Sequence, residues 1–258
     1  MTLACLVINL DRSPERLQSA RDRLSASNIP FQRVPAIDGR LFDAQSAPPV
    51  DERAVFRNMG RSMLPGEIAA CMSHALALRT FLESDFKHCL ILEDDALPRP
   101  AAWDTIRAAI DHLDRHHAGA WSVLHCGEVR RRICTRARGC TKHISGQRLL
   151  QAHYFPMGAF ALCWTRSGAE RFLSLHRQIT APFDNQVQNW LCRQGGGFAL
   201  SPGVFSVTDA ASDIDGSAAW SKPVRGKSGR RPVRTLAKQR RLWTNRAFAV
   251  LRWLRAWG

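Results

Sequence analysis

The segment Cys89–Asp95 constrains the fold of this 258-residue chain more than any other, because its apolar run stops abruptly at three consecutive carboxylates. Four adjacent apolar residues leave no polar face for water, so the run predicts a strand buried on both faces of a sheet. At the carboxyl end of a parallel strand, the acids would face the crevice in which open α/β sheets bind ligands. A divalent cation would relieve their mutual repulsion. For an isolated triplet, an acidic turn before the proline stop at Pro98 is the alternative.

The amino terminus predicts a strand, a turn and a helix. Residues 3–10 are almost entirely apolar, and Ser13 and Pro14 suit the cap and the first position of a helix. A helix amino terminus with guanidinium groups beside it can bind a nucleotide phosphate. The candidate residues at this end of the strand are Asn9, Asp11, Arg12 and Arg16, and ordinary solvated helix arginines are the alternative.

A second short strand is expected over residues 31–34, followed by the turn pair Asp38-Gly39. The carboxylate of Asp38 can hydrogen-bond a ribose or a base edge, although Asp-Gly is also an ordinary turn pair. Residues 43–62 contain prolines and show no regular pattern, which predicts an irregular surface excursion.

Apolar positions at helical spacing predict a helix from Pro65 to about residue 82. Glu67 and His74 lie two turns apart on the same side of this helix. A hydrogen-bonded structural histidine and an acid that complements the helix dipole are the simpler interpretations of these two residues. The acid-bearing strand follows the helix within a few residues, as a parallel βαβ sheet requires.

The second half of the core predicts further alternation of helices and strands, with a strand pair over residues 198–207 that turns at Pro202-Gly203. Asp184 or Asn185 suits the cap of a late helix. Residues 128–150 are basic and without regular pattern, which predicts a solvated loop. The remaining expected elements are helices at 101–116 and 167–176 and strands at 121–126 and 160–164.

The net charge of +15 belongs mainly to the carboxyl-terminal tail. Beyond Asp215 there are twelve Lys or Arg and no acid, so the rest of the chain carries 25 basic against 22 acidic residues. Eight cysteines, mostly in apolar segments and without a CxxC pair, indicate a reduced cytoplasmic protein. Cys134 and Cys140 flank an arginine-rich loop and form the one pair to test for a metal or a disulfide. We expect neither a signal peptide nor a membrane-spanning segment.

The tail itself predicts a linker from Lys222 and then a basic amphipathic helix over residues 242–257, so we divide the chain into a domain at 1–219 and a tail at 220–258. Boundary tryptophans on such a helix are typical of a segment that lies on an anionic membrane surface. A terminal helix packed on the protein or on a second copy is the alternative. Nucleic acid is not the expected partner, because the tryptophans share the apolar face and offer no platform for bases.

Several motifs in order resemble glycosyltransferase family 25, the lipopolysaccharide-biosynthesis glycosyltransferases. The resemblance covers about residues 3–215 and does not extend past residue 220. It rests on Val7-Ile8-Asn9-Leu10-Asp11-Arg12 with Glu15-Arg16, Ala36-Ile37-Asp38-Gly39, Gly66-Glu67-Ile68-Ala69 with Ser73-His74, Leu90-Ile91-Leu92-Glu93-Asp94-Asp95, Gly158-Ala159-Phe160 and Pro182-Phe183-Asp184.

This resemblance implies an α/β fold of the GT-A-like type, with a Rossmann-type nucleotide-sugar-binding sheet flanked by helices. It also implies a UDP-sugar donor, most simply UDP-galactose, and transfer of the hexose with inversion. The acids would form a variant of the Asp-x-Asp motif, with Asp95, and Glu93 beside it, holding Mn²⁺ or Mg²⁺ as a Lewis acid at the leaving diphosphate. Glu93 or Asp94 would contact the ribose or donor sugar. The remaining expected donor contacts are Asn9, Asp11, Arg12, Arg16, Asp38, Gly39 and His74.

An inverting transfer needs a general base for the acceptor hydroxyl. Asp184 is the first candidate because it opens a helix late in the fold, and Asp213 and Glu67 are the reserves. The expected acceptor is a glycan or a lipid-linked glycan at the inner face of the cytoplasmic membrane. The competing hypothesis is a non-catalytic basic module that binds anionic lipid or nucleic acid.

Overall fold

The chain folds around one large sheet with helices on both faces. A computed structural model describes residues 2–42, 49–128, 132–208 and 231–256. Its strands are β1 (Leu3–Asn9), β2 (Gln32–Pro35), β3 (His88–Glu93), β4 (Ala96–Pro98), β5 (Val123–His125), β6 (Cys134–Arg136), β7 (Arg148–Ala152), β8 (Ala161–Thr165), β9 (Gly197–Ser201) and β10 (Phe205–Val207). Its helices are α1 (Pro14–Ala26), α2 (Glu52–Met59), α3 (Pro65–Leu82), α4 (Ala102–His116), α5 (Arg166–Leu175), α6 (Phe183–Gln194) and α7 (Arg231–Arg255), with a 3₁₀ turn at Gly39–Leu41.

The central sheet has the strand order β2-β1-β3-β8-β5-β9-β7-β6. Strand β1 runs parallel to both β2 and β3, so their carboxyl ends share one edge of the sheet. The next strand, β8, is antiparallel to β3 and β5, and the sheet is therefore mixed. Strands β4 and β10 form a separate antiparallel pair. The expected α/β class, with a central sheet flanked by helices, is confirmed.

The core lies on both faces of this sheet, because its middle strands carry no polar face. Residues Cys89–Leu92 of β3 are fully buried, as their unbroken apolar run predicts. Helices α3, α5 and α6 cover one face and helix α4 covers the other. Buried thiols contribute to both layers, and all eight cysteines are free, including Cys134 and Cys140.

Two stretches expected to be irregular contain regular structure. Helix α2 forms within residues 43–62 because Asp51 caps it by accepting from the backbone N–H of Ala54 at 2.9 Å. Gly60 ends the same helix in the left-handed conformation, with a φ of 67°. The basic stretch at 128–150 contains β6 and the start of β7, which complete the sheet edge.

The prediction that two strands within residues 198–207 pair with each other is wrong. Strand β9 lies between β5 and β7 in the central sheet, whereas β10 pairs with β4. Between these two strands, the backbone N–H groups of Val204 and Phe205 donate to the Cys126 carbonyl oxygen and fix the connection from the central sheet to the small one.

Helix α7 begins eleven residues before the expected start at Leu242 and packs against α2 and α6. Its buried residues include Ala237, Asn245 and Ala249. The predicted division at residue 219 falls outside the described residues and stays a prediction. No helix in the described ranges is long and apolar enough to cross a membrane.

Candidate active site

A cleft of about 1000 Å³, counted out to its open mouth, lies at the carboxyl ends of β1 and β3. The segment Ala36–Arg40 and the start of α3 form its opposite wall. The sheet order explains the position, because parallel neighbours β1 and β3 bring Asn9 and the acids after Leu92 to one edge. The three acids therefore line a cleft, and the simple solvated turn is excluded.

Asp94 is the buried anchor of the acidic turn. Its carboxylate accepts from Asn9 Nδ2 at 2.7 Å and from Arg16 Nε at 2.9 Å. Its main-chain oxygen accepts from Arg23 Nη2 at 2.7 Å. These bonds tie β1 and α1 to the end of β3, so Asp94 fixes the positions of the acids on either side of it.

Glu93 is held by a histidine that is itself held by an aromatic ring. His74 Nε2 lies 3.2 Å from Glu93 Oε1, and the His74 ring stacks on Phe183 with 4.1 Å between ring centroids. His74 is 3% exposed, whereas 38% of the Glu93 side chain remains accessible. Glu93 is therefore oriented from behind and open to the cleft in front.

Asp95 carries the unsatisfied charge of the site. Among the described residues, its Oδ1 is buried without a hydrogen-bond partner. Burial, and then repulsion by Glu93, raise the pKa of Asp95 to about 6. Its main-chain oxygen accepts from the Thr208 N–H at 3.0 Å, which fixes the backbone. A buried carboxylate without a hydrogen-bond donor is a position where a cation or a ligand hydroxyl would be stabilised.

Asp38 organises two arginines at the other end of the cleft. It accepts from Arg40 Nη2 at 2.8 Å and from Arg12 Nε at 2.7 Å. The hydrogen bonds from Arg40 hold the pKa of Asp38 well below its usual range. Gly39 is required beside it, because a Cβ there would lie 2.5 Å from the Pro65 carbonyl oxygen. Ser73 completes the wall by accepting from the Ile37 N–H at 2.9 Å.

Glu67 does not line the cleft, unlike the neighbouring Gly66. Its two oxygens accept from Arg61 at 2.7 and 2.5 Å, and one also accepts from the Leu64 N–H at 2.9 Å. Both side chains are buried. His74 thus contacts Glu93 and not Glu67, and the Glu67 carboxylate stabilises the start of α3.

Asp184 lies at the start of α6, directly after the Phe183 ring that stacks on His74, and like Glu67 it does not line the cleft. Its Oδ1 accepts from the backbone N–H and the side-chain Nδ2 of Asn185, at 2.7 and 2.9 Å. Burial raises the pKa of Asp184, and repulsion by Glu93 adds to the shift. The expected capping role is not observed, since Pro182 occupies the cap position.

Two further candidates lie away from this arrangement. Asp11 is 78% exposed, pairs with Arg33 and does not line the cleft. Asp213 lies outside the described residues.

The residues of the cleft fit a divalent cation whose coordination shell is completed by oxygen atoms of the substrate. No group of three or more His, Cys, Asp or Glu side chains within the described ranges is arranged to hold a metal by itself. Asp94 is committed to Asn9 and Arg16, which leaves Asp95 and Glu93. Mg²⁺ sites often use only one or two carboxylates together with substrate phosphates, so these two acids suffice.

The sequence patterns assigned no role in the site to four residues that shape it: Arg23, Arg40, Ser73 and Phe183. Arg40 follows the Asp38-Gly39 turn directly and was therefore open to detection as a partner of Asp38. The other three act through contacts between distant segments. Their roles depend on the register of β1 and β3 and on the packing of α6 against α3.

Comparison with known proteins gives one extended family match and several distant relatives. The model of glycosyltransferase family 25 (LPS biosynthesis protein) matches residues 3–187. A glycosyltransferase 25 family member of Drosophila pseudoobscura pseudoobscura is 31% identical over 96 residues, which are 34% of this chain and 15% of that protein. One from Aedes aegypti is 25% identical over 137 residues, or 48% of this chain and 21% of that protein. The aligned part of this chain thus spans about a fifth or less of these relatives.

Among solved structures, S. aureus TarS in complex with UDP-GlcNAc gives a TM-score of 0.41 at 12% identity, covering 84% of this chain and 61% of TarS. An active-site mutant of LgtC gives 0.38 at 14% identity, covering 91% and 99%. These likenesses are distant, whereas the family match extends over most of the chain and includes the acids of β3, the Asp38 turn and Asp184. The chain belongs to glycosyltransferase family 25.

Proposed function

We propose that this chain is a glycosyltransferase that transfers a hexose from a nucleotide sugar to a glycan acceptor, with UDP-galactose as the donor and with inversion. The observation that carries the proposal is the acidic end of β3. There Asp95 keeps a buried oxygen that no described residue hydrogen-bonds, beside Glu93, in a cleft whose other end holds guanidinium groups. Family membership supports glycosyl transfer, while the sugar and the stereochemistry are our inference.

The nucleotide end of the donor is assigned to the wall formed by the Asp38 turn. Arg12 and Arg40 are held in place by Asp38, so their side chains lose little freedom when an anion binds. Helix α1 starts beside them, and its amino terminus favours negative charge. Ala36, Ile37 and Ala69 offer an apolar surface for a base.

The diphosphate and sugar are assigned to the acidic end. When bound at Asp95 and Glu93, a Mn²⁺ or Mg²⁺ supplies Lewis-acid stabilisation of the charge that develops on the leaving diphosphate. The residues of the chain keep the acids in place: Asp94 through Asn9, and Glu93 through His74. A rigid arrangement of this kind costs no reorganisation at the moment of reaction.

Asp184 is assigned as the general base that accepts the proton of the acceptor hydroxyl. Its raised pKa makes the ionised carboxylate a better proton acceptor, and Asn185 orients it. Glu67 is a poorer candidate, because Arg61 occupies both of its oxygens. Asp213 remains an alternative.

Turnover of a donor panel tests this proposal. We expect UDP release from UDP-galactose with Mn²⁺, less UDP from UDP-glucose and UDP-GlcNAc, and less GDP or CMP from GDP- or CMP-sugars. Asp184→Asn should lower transfer by about 10²–10⁴-fold, the usual range for loss of an acid–base group, with UDP binding unchanged. Asp22→Asn, on the exposed side of α1, is the control. The base assignment fails if Asp184→Asn transfers at the rate of the unsubstituted protein, and the function fails if no nucleotide sugar is consumed.

A further inference from the structure

Helix α7 packs on the protein through its small and polar side. Ala237, Asn245 and Ala249 are 8%, 1% and 0% exposed. Asn245 Nδ2 donates to Asn189 Oδ1 at 2.7 Å, and Arg252 Nε donates to the Arg193 carbonyl oxygen at 3.2 Å. The apolar side of this amphipathic helix is therefore not the side that contacts the rest of the chain.

That apolar side faces outward. Residues spaced by seven, seven, one and three positions fall on one side of a helix, and here all of them are large and exposed. We call this set the outer stripe: Leu236, Trp243, Val250, Leu251 and Leu254, which are 71%, 64%, 42%, 53% and 55% exposed. Isolated exposed apolar residues need no explanation, but several large ones on one side of a helix mark an interaction surface.

The charge of α7 narrows the choice of partner. Residues 231–256 contain eight Lys or Arg and no Asp or Glu. Arg246 lies over the Trp243 ring, 5.5 Å from its centroid, and two further arginines are exposed: Arg240, between Leu236 and Trp243, and Arg255. Two such helices placed face to face would repel each other, whereas an anionic surface would attract both.

We propose that the outer stripe is a docking surface for an anionic lipid bilayer. Helix α7 lies parallel to the membrane plane, with the stripe at the boundary between headgroups and acyl chains and the arginines at the lipid phosphates. Long basic side chains reach the phosphates while their stems remain in apolar surroundings. The surface is distinct from the nucleotide-sugar cleft, so the inference stands without the proposed activity.

Vesicle co-sedimentation of the full chain tests the proposal with two variants matched in exposure and charge change. Leu251 is 53% exposed in the outer stripe, and Leu175 is 54% exposed at the end of α5. Vesicles of phosphatidylcholine with about 30 mol % phosphatidylglycerol should bind the unsubstituted protein and Leu175→Glu equally. The partition coefficient of Leu251→Glu should be lower by about tenfold, as expected for loss of one buried leucine. Leu251→Ser and Leu175→Ser repeat the comparison without added charge, and a melting curve for each variant checks its fold.

Three results would overturn the proposal. These are equal binding of the Leu251 and Leu175 variants, equal binding to pure phosphatidylcholine vesicles, and no binding to the anionic vesicles. If the protein instead forms a dimer that Leu251→Glu dissociates, without any vesicle binding, the outer stripe binds a second copy and the lipid assignment is wrong.

Discussion

At the scale of single residues, the three acids after β3 have three different environments. Asp94 is saturated by Asn9 and Arg16, Glu93 is held by His74, and Asp95 keeps a buried oxygen without a partner among the described residues. A run of like charges therefore resolves into one anchor and two groups available to a ligand.

The cost of the buried Asp95 charge leads to the first prediction. Asp95→Asn removes the repulsion with Glu93, so its melting temperature at neutral pH should rise by a few degrees while nucleotide-sugar turnover is lost. Thermal unfolding and a UDP-release assay measure the two effects. Asp22→Asn removes one exposed carboxylate and should change neither. A lower melting temperature for Asp95→Asn would mean that the carboxylate stabilises the fold.

The sequence indicated most of the cleft residues but not their pairings. Asn9, Arg12 and Asp38 were recognisable because they follow strands that end at one edge. Which acid would be neutralised was not predictable, because it depends on the contact between Arg16 and Asp94, 78 residues apart. Strand β3 ends at Glu93 and the next two acids lie in a turn, so strand alternation does not place Asp95, and only the packing of α1 shows that Asp94 is the anchor.

At the scale of elements, the start of α3 depends on a buried ion pair. Glu67→Gln leaves the Arg61 charge without its counterion, which should lower the free energy of unfolding by about 3–5 kcal/mol. Urea unfolding measures it, with the exposed Glu52→Gln at the start of α2 as the control. Folded Glu67→Gln should retain nucleotide-sugar turnover. Unchanged stability together with lost turnover would make Glu67 the catalytic group.

Helix α7 provides a matched pair of alanines. Ala249 is fully buried against the protein, whereas Ala247 is exposed. Ala249→Phe should therefore destabilise the protein by about 1–3 kcal/mol through overpacking, and Ala247→Phe should have almost no effect. Comparison of their urea-unfolding midpoints checks that α7 is part of the folded unit. Equal midpoints would indicate that the helix is not docked.

The periodicity of α7 was readable from the sequence, but its orientation was not. An apolar stripe usually faces the core. Here Asn245 finds amide partners on α6, Arg241 Nη1 donates to the Asn58 carbonyl oxygen at 2.8 Å, and small alanines permit close approach. Helix α2 contacts α7 on this inner side. It was not predicted, because the segment that contains it includes prolines and shows no regular pattern.

At the scale of the whole molecule, buried histidines should make the fold sensitive to acid. His125 is fully buried, accepts from the Gly127 N–H at Nδ1 and donates from Nε2 to the Gly158 carbonyl oxygen. Burial lowers the pKa of His125 from 6.5 to about 4. The unfolded chain therefore binds a proton that the folded chain excludes, so stability is full above about pH 6.5 and is lost as the pH falls towards 4.

Between about pH 6.5 and 4, His125 alone should lower the free energy of unfolding by about 3 kcal/mol. Urea unfolding at several pH values should show a weaker pH dependence for His125→Gln than for the unsubstituted protein. His143→Gln, at an exposed position, should keep the full dependence. If all three proteins lose stability equally on acidification, His125 is not the group responsible.

The fold class was predictable because its determinants are local. Apolar runs of strand length alternate with helical periodicity, and the order β1-α1-β2 followed by α3-β3 predicts parallel neighbours. The mixed second half was not predictable, since β8 enters antiparallel beside β3 and β9 leaves β10 to pair with β4. Those pairings join segments far apart in the chain, and no local pattern encodes them.

We propose above that the end of β3 binds the diphosphate of a nucleotide sugar. Calorimetric titration of UDP in the presence of Mn²⁺, with the unsubstituted protein, Asp95→Asn and Asp22→Asn, tests it most directly. We expect Asp95→Asn to weaken UDP binding by at least about tenfold, equivalent to roughly 1.4 kcal/mol, and Asp22→Asn to bind as the unsubstituted protein does. Equal affinity of all three proteins for UDP would contradict it.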